Sequence, residues 1–218
     1  MIVSERMTHP VLTITADVPV QDALTLMKRD NVRRYPVVDK MGKLIGIVTE
    51  SDLMNAKPSE ATTLSVWEIS SLLAKIKVER VMCKKVVTVK EDTTIEEAAR
   101  IMADSSIGGL PVMRGDKLVG IITESNIFRV FLEMLGSRTA GVRVTVEVPN
   151  SKGIIAKLTT AVSELSGNIH GFGAIQGEST DTSILTLKVA DIEPEKLKNV
   201  LQPLVTKVID IREEKGIE

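Results

Sequence analysis

The chain has 218 residues, 28 Lys and Arg against 29 Asp and Glu, a net charge of −1, and 43% apolar residues. That is enough apolar chain for one large core or two ordinary ones, with no excess of cations to hold a polyanion. One Trp, one Tyr and three Phe supply no aromatic platform on which unpaired bases stack, so nucleic acid is disfavoured as a partner. A membrane partner is also not expected. No apolar run approaches the ~18 residues a bilayer span requires. The opening residues Met-Ile-Val-Ser-Glu-Arg lack the basic and apolar regions of a signal sequence. The single cysteine, Cys83, has no partner for an internal disulfide, so the chain reads as cytoplasmic, with Cys83 as a packed small hydrophobe.

In chain order, one segment occurs twice. Met7-Thr8-His9-Pro10 leads into Val11-Leu12-Thr13-Ile14, then an amphipathic stretch to Met27, Pro36-Val37-Val38, and Gly46-Ile47-Val48-Thr49-Glu50-Ser51-Asp52. The second copy opens at Met82, 75 positions after Met7. It gives Val86-Val87-Thr88-Val89, a stretch to Met102, Leu110-Pro111-Val112, and Gly120-Ile121-Ile122-Thr123-Glu124-Ser125-Asn126. A repeat of this length predicts one supersecondary unit used twice, each copy burying the other's apolar face and the pair holding two related clefts. Each copy reads as βαββα. The β-branched runs predict a short first strand. Val20, Ala23, Leu24 and Met27, matched by Ile95, Ala98, Ala99 and Met102, fall at i, i+3, i+4 and i+7 of a helix, and this places the methionines in the core. Asp17 and Asp92 are expected to cap those helices. Asp39 to Lys43 and Arg114 to Asp116 predict hairpin turns. Between the copies, a connecting helix over 58–76 carries Trp67 as a packing anchor.

Thr49-x-x-Asp52 admits two readings. A hydroxyl and a carboxylate at this spacing form a helix-capping box. They also converge beside a helix N-terminus, where a carboxylate accepts from both hydroxyls of a ribose and free N–H groups suit phosphate. The second copy has Asn126 in place of the acid. Arg33-Arg34 grips phosphate or forms a solvated turn. Gly108-Gly109, at the equivalent place, admits a flat base or makes a tight bend. The expected outcome is one good nucleotide cleft and one altered cleft.

These two in-phase copies resemble a pair of cystathionine-β-synthase-type regulatory domains, a CBS pair, over about 125 residues. The resemblance implies a disk that binds an adenosyl ligand such as AMP, ATP or S-adenosylmethionine and regulates rather than catalyses. It implies nucleotide contacts from Thr13, Arg33, Arg34, Pro36, Thr49 and Asp52 in the first copy. In the second, it implies contacts from Thr88, Ile107, Gly108, Gly109, Pro111, Thr123 and Asn126.

After a polar linker at 136–141 the pattern changes. Val142, Val144, Val146 and Val148 alternate with polar residues, a half-buried strand. Helical spacing follows at Ile154, Leu158, Ala161, Val162 and Leu165. Strands are expected around 169–175 and 183–189, then a helix opened by Pro194 and a last strand over 205–211. This βαββαβ order is the ferredoxin-like split unit. Pro149-Asn150-Ser151-Lys152-Gly153 and Gly167-Asn168-Ile169 resemble an ACT domain, which implies amino-acid contacts from Asn150, Gly153, Asn168 and Ile169. The family's usual Asp is Asn150 here, and helix capping by Asn150 with tight packing of Gly153 accounts for the turn equally well. Gly171-x-Gly173 is not a dinucleotide fingerprint, because a helix precedes it and a strand follows.

The expected architecture is therefore α+β: repeat one at 1–57, the connecting helix at 58–76, repeat two at 77–135, the linker at 136–141 and the ACT-like unit at 142–218. The whole chain resembles the bacterial acetoin-utilisation regulatory family. That implies a homodimeric, non-enzymatic sensor with no required cofactor, and a regulated enzyme as a further partner. The alternative is an adaptor with vestigial clefts that docks to such an enzyme. No catalytic residues are assigned, and neither His9 nor His170 has a partner at metal-ligand spacing.

Overall fold

Strand β1 (Ile14–Thr15) is two residues long because only Ile14 and Thr15 find partners, pairing in parallel with Val37 and Val38. The computed structural model describes residues 1–56 and 75–216, so Trp67 and nearly all of the expected connecting helix lie outside the described residues. The chain divides into two compact units, Met1–Ile127 and Phe128–Glu218.

In the first unit, β1 is followed by α1 (Val20–Arg29), β2 (Arg34–Val38), β3 (Leu44–Thr49) and α2 (Glu50–Asn55). The second copy supplies β4 (Val89–Lys90), α3 (Ile95–Ser105), β5 (Gly109–Arg114), β6 (Lys117–Thr123) and α4 (Glu124–Met134). Helix α4 runs on past Ile127 into the second unit. Each copy is one three-stranded sheet in chain order, with its second and third strands antiparallel. Helix α1 buries Val20, Ala23, Leu24 and Met27, each larger side chain contributing about 1.5–3 kcal/mol relative to exposure. Helix α3 buries Ile95, Ala98 and Met102, while Ala99 is only half-buried.

Two helix caps differ from those expected. Asp17 does not cap α1: Pro19 occupies the N-cap, and Asp17 accepts the Thr15 hydroxyl at 2.6 Å. Helix α3 is capped by Thr94, whose hydroxyl oxygen accepts from the Glu97 N–H at 3.2 Å, and not by Asp92. The methionines also divide. Met27 and Met102 are core, but Met41, Met54 and Met134 are exposed.

The copies do not simply lie face to face; each sends its leading segment into the other. Thr8 and Ile121 exchange both backbone bonds, at 2.9 and 3.1 Å, and Cys83 and Ile47 do the same at 2.9 and 3.0 Å. Upstream, the Val3 N–H reaches the Thr93 carbonyl and the Val78 N–H reaches that of Val18. Met82 then packs on Gly46 and Met7 on Gly120. A Cβ on Gly46 would lie 2.6 Å from the Met82 sulfur, so any larger residue there obliges the thioether to move aside.

The second unit contains β7 (Gly141–Pro149), α5 (Ile154–Glu164), β8 (Asn168–Gln176), β9 (Thr182–Ala190), α6 (Pro194–Leu201) and β10 (Lys207–Glu214). Its order is βαββαβ, in an antiparallel sheet arranged β10-β7-β9-β8. Val142, Val144, Val146 and Val148 meet Leu158 and Val162 of α5 and Leu197 and Leu201 of α6 in one buried cluster. The sheet's other face carries a polar row. Thr145 and Thr186 share a hydroxyl contact at 3.1 Å, and Lys188, 1% exposed, bonds Glu214 at 2.7 Å. Leu135 lies directly on Gly171, where a Cβ would strike the Leu135 carbonyl. Among the described residues, no helix is long and apolar enough to cross a membrane.

Candidate functional site

Thr49 ends β3 and becomes the N-cap of α2 because its extended backbone (φ −108°, ψ 163°) turns directly into the helix. Its hydroxyl oxygen accepts from the Asp52 N–H at 3.2 Å. The Asp52 carboxylate in turn accepts from the Thr49 N–H at 2.8 Å and from the Thr49 hydroxyl at 2.7 Å, both on Oδ2. This is the capping box in full. Among the described residues, Oδ1 of Asp52 has no hydrogen-bond partner. The second copy repeats the side-chain half of the arrangement, with Asn126 Oδ1 accepting from the Thr123 N–H at 2.9 Å and its hydroxyl at 2.7 Å. The amide oxygen therefore takes the same two bonds as the carboxylate. The difference lies in the other atom, because Asn126 presents an –NH₂ donor where Asp52 presents an acceptor.

A cavity of about 490 Å³ opens beside Asp52, large enough for a nucleoside-sized ligand. Of the residues expected at the nucleotide, Arg33, Arg34, Thr49, Asp52, Ile107, Gly108 and Gly109 line it together. The cleft is composite: Gly108 and Gly109 of the second copy face Asp52 of the first. Thr88 instead borders a separate cavity with Lys43, Lys84 and Lys90. Pro36 and Pro111 are buried within their strands, Thr13 is exposed, and none of these three lines the Asp52 cleft. Thr123 and Asn126 belong to the equivalent place in the second copy and are likewise outside it.

Sequence reasoning missed the floor of this cleft. Cys83, Lys85, Val86 and Val87 line it, with Ile47 and Ser106, because the crossing at Ile47 carries the second copy's leading segment past α2. Cys83 is accordingly exposed rather than packed. The duplicated Met-x-x segment was a visible signal, but its destination was not.

The helix end offers less to a phosphate than its position suggests. The Glu50 N–H bonds the Arg33 carbonyl at 2.9 Å and the Asp52 N–H bonds Thr49, leaving the N–H of Ser51 from the first three. Positive charge comes instead from Arg33, Arg34 and Lys85, set against Glu50 and Asp52. Arg34 is half-buried. Burial lowers its pKa, Glu124 opposes that shift, and nearby Arg33 adds to it; a guanidinium nonetheless remains a cation. This side chain lies against Gly108 and Gly109, where a Cβ would stand 2.7 or 2.6 Å from an Arg34 nitrogen.

In the second unit, the Asn150 side chain donates to the Thr180 carbonyl at 2.9 Å. It is Gly153, in the left-handed region (φ 84°) with open space around it, that forms the N-cap of α5. Neither capping by Asn150 nor tight packing of Gly153 is observed. Asn168 contacts the His170 ring at 3.0 Å, and Ile169 packs on the core. Asn150 follows Pro149, paired with Thr182, whereas Asn168 pairs with Ala190. The two asparagines therefore stand at opposite ends of the sheet within one chain. Among the described residues, no three His, Cys, Asp or Glu side chains come together as metal ligands.

Comparison with known proteins is concentrated in the first unit. The CBS domain family matches residues 3–59 and 78–133. A CBS domain-containing protein of Dictyostelium discoideum is 30% identical over 136 residues, covering 62% of this chain and 94% of that protein. L-aspartate semialdehyde sulfurtransferase of Methanocaldococcus jannaschii is 29% identical over 60% of this chain, but the match spans only 23% of that enzyme. Among solved structures, a putative acetoin utilization protein from Vibrio cholerae is 33% identical with a TM-score of 0.52, covering 62% of this chain and 93% of its own. The CBS domain pair of protein MJ0100, in complex with 5′-methylthioadenosine and S-adenosyl-L-methionine, is 27% identical with a TM-score of 0.51, covering 60% of this chain and 95% of its own. CBSX2 in complex with AMP is 28% identical with a TM-score of 0.51, covering 60% and 96%.

Proposed function

Since this chain belongs to the CBS domain family, through two matched copies at residues 3–59 and 78–133, we propose that it is a non-enzymatic sensor of an adenosyl ligand held in the Asp52 cleft. The observation that carries this reading is the Asp52 carboxylate itself. One oxygen completes the helix cap, and the other is left for a ribose diol at a cavity of about 490 Å³. Gly108 and Gly109 bound the cleft opposite, and Arg33 and Lys85 bring cations for a phosphate. Two structural relatives hold AMP, or methylthioadenosine and S-adenosylmethionine, which supports the ligand class.

The second unit is read as a ferredoxin-like ACT domain on its βαββαβ order and its β10-β7-β9-β8 sheet. The separation of Asn150 from Asn168 within one chain suits an amino-acid site completed by a second copy, and with it a homodimer. Ligands would act by favouring one arrangement of the paired subunits over another. Likeness to the Vibrio protein supports the acetoin-utilisation resemblance within the CBS pair.

Thermal melting with millimolar AMP, ATP or S-adenosylmethionine tests the reading, because a ligand that binds only the folded state raises its stability. Asp52→Ala removes most of the gain and Asn126→Ala removes less. Unchanged ligand affinity in both variants would overturn the site. A second reading, an adaptor docking to a regulated enzyme, draws on the exposed Phe128, Phe131 and Met134 of α4. Absence of any ligand-induced stabilisation, with stable co-purification of such an enzyme, would favour it.

A further inference from the structure

Adenosyl ligands differ in charge at one place, the substituent on the ribose 5′ carbon. AMP carries a phosphate there, whereas S-adenosylmethionine carries a sulfonium cation, its ammonium and carboxylate cancelling each other. Structural relatives of this chain hold one or the other. A ribose on the free oxygen of Asp52 brings its 5′ substituent close to the start of α2, so the charges lining the cavity there decide which is favoured.

Those charges are unequal. Arg33, Arg34 and Lys85 line the cavity against Glu50 and Asp52, and the ribose engages Asp52. The Arg33 carbonyl accepts from the Glu50 N–H at 2.9 Å, and Arg34 pairs with Thr49 across β2 and β3, so both arginines stand beside the helix start. Glu124 offsets part of the Arg34 charge. Arg33 and Lys85 are exposed, and among the described residues neither is in an ion pair. No aromatic ring lines the cavity, so a sulfonium finds no π face. The segment after the Ile47 crossing alternates: Cys83, Lys85 and Val87 line this cavity, whereas Lys84 and Thr88 line the neighbouring one. Only one of the two adjacent lysines therefore serves this ligand.

We infer that the Asp52 cleft selects an adenosine 5′-phosphate over S-adenosylmethionine, with Arg33 and Lys85 as the side chains that read the phosphate. A phosphate gains charge-assisted hydrogen bonds from a guanidinium and an ammonium. A sulfonium is repelled by the same groups, and Glu50 alone favours it. This inference rests on the nucleotide reading of the cleft and fixes the charge of its ligand.

Equilibrium dialysis of the full chain with adenosine, AMP and S-adenosylmethionine separates the sugar from the charge. AMP should bind about tenfold more tightly than adenosine, as charge-assisted contacts from exposed side chains allow. S-adenosylmethionine should bind no more tightly than adenosine. The advantage of AMP should shrink from low salt to about 0.5 M, where screening is stronger. Lys85→Ala and Arg33→Ala should each weaken AMP several-fold and leave adenosine unchanged, and Lys85→Arg should retain AMP. Lys84→Ala, the same loss of charge beside the neighbouring cavity, should alter neither ligand. S-adenosylmethionine binding as tightly as AMP, or Lys84→Ala matching Lys85→Ala, would overturn the inference. If adenosine binds and Asp52→Ala abolishes it while the phosphate adds nothing, this inference fails and the site stands. If none of the three binds, the site fails and this inference with it.

Discussion

Asp52 holds Thr49 and keeps one oxygen in reserve: the Thr49 N–H at 2.8 Å and its hydroxyl at 2.7 Å both fall on Oδ2. Asn126 makes the same two bonds to Thr123 through its amide oxygen, so the chain contains its own control for the acid.

Asp52→Asn should therefore keep the cap and lose the ribose acceptor. Its melting temperature without ligand should stay near the wild type, whereas Asp52→Ala, which removes the acceptor for the Thr49 N–H and hydroxyl and leaves the Thr49 cap on the backbone of residue 52, should cost about 1 kcal/mol. Both should lose most of the stabilisation by AMP. Melting curves with and without AMP separate the two effects, and an Asp52→Asn protein stabilised as much as wild type would show that the carboxylate serves only the helix.

Glycine replacements should rank by what the new methyl group meets. At Gly46 it meets the Met82 thioether, the movable end of a flexible side chain; at Gly171 it meets the Leu135 and Gly136 backbone. Overpacking typically costs about 1–3 kcal/mol, so Gly46→Ala should fall at the low end and Gly171→Ala at or above the high end. Urea unfolding measures both. Equal costs would mean that the Leu135 segment yields as readily as a methionine.

The Lys188–Glu214 pair should be asymmetric to mutation. Lys188 is 1% exposed and its ammonium bonds Glu214 at 2.7 Å, so Glu214→Gln strands a buried cation. The handicap for such a break is about 3–5 kcal/mol when both partners are buried, and the partial exposure of Glu214 reduces it to roughly 2–3 kcal/mol. Lys188→Met keeps the length, removes the desolvated charge and should cost less. Chemical denaturation of the two variants would refute this if Lys188→Met proved the weaker.

Stability should fall at both extremes of pH, and one contact contributes to each. Bonds from Arg29 and then Tyr35 lower the Asp30 pKa, and Arg114 and Arg212 do the same for Glu91 and Asp210. A lowered carboxylate stabilises the fold above its unfolded value, about 4, and that contribution disappears as pH falls through the folded value. Tyr35 is shifted the other way, upward from 10.0, by burial and then by its bond to Asp30. Its contribution is complete below that ordinary value and is lost as pH rises toward the folded one. Tyr35→Phe should flatten the alkaline limb and leave most of the acid limb, and melting temperatures from pH 3 to 11 (roughly the range these groups span) would test this.

Much of this architecture could be read before any coordinates. The repeat, the apolar faces of α1 and α3, the hairpins and the βαββαβ order all rest on local periodicity, which records which face of an element is buried. Thr49-x-x-Asp52 was also legible, because capping is decided within four residues. Periodicity does not record where an extended segment goes. The exchange of Thr8 with Ile121 and of Cys83 with Ile47 is made by backbone groups, which every residue carries alike. That exchange placed Cys83, Lys85 and Val87 in the cleft and kept Thr88 out. The Arg34 guanidinium reaches Gly108 and Gly109 across 74 and 75 positions of sequence for the same kind of reason. The sequence by itself determined the elements and the Thr49–Asp52 box, because those depend on near neighbours, although three other helices are capped at Pro19, Thr94 and Gly153 and not at Asp17, Asp92 and Asn150. Only the tertiary structure decided which copy completes which cleft, because that choice is made by non-local backbone pairing and by room left where side chains are missing.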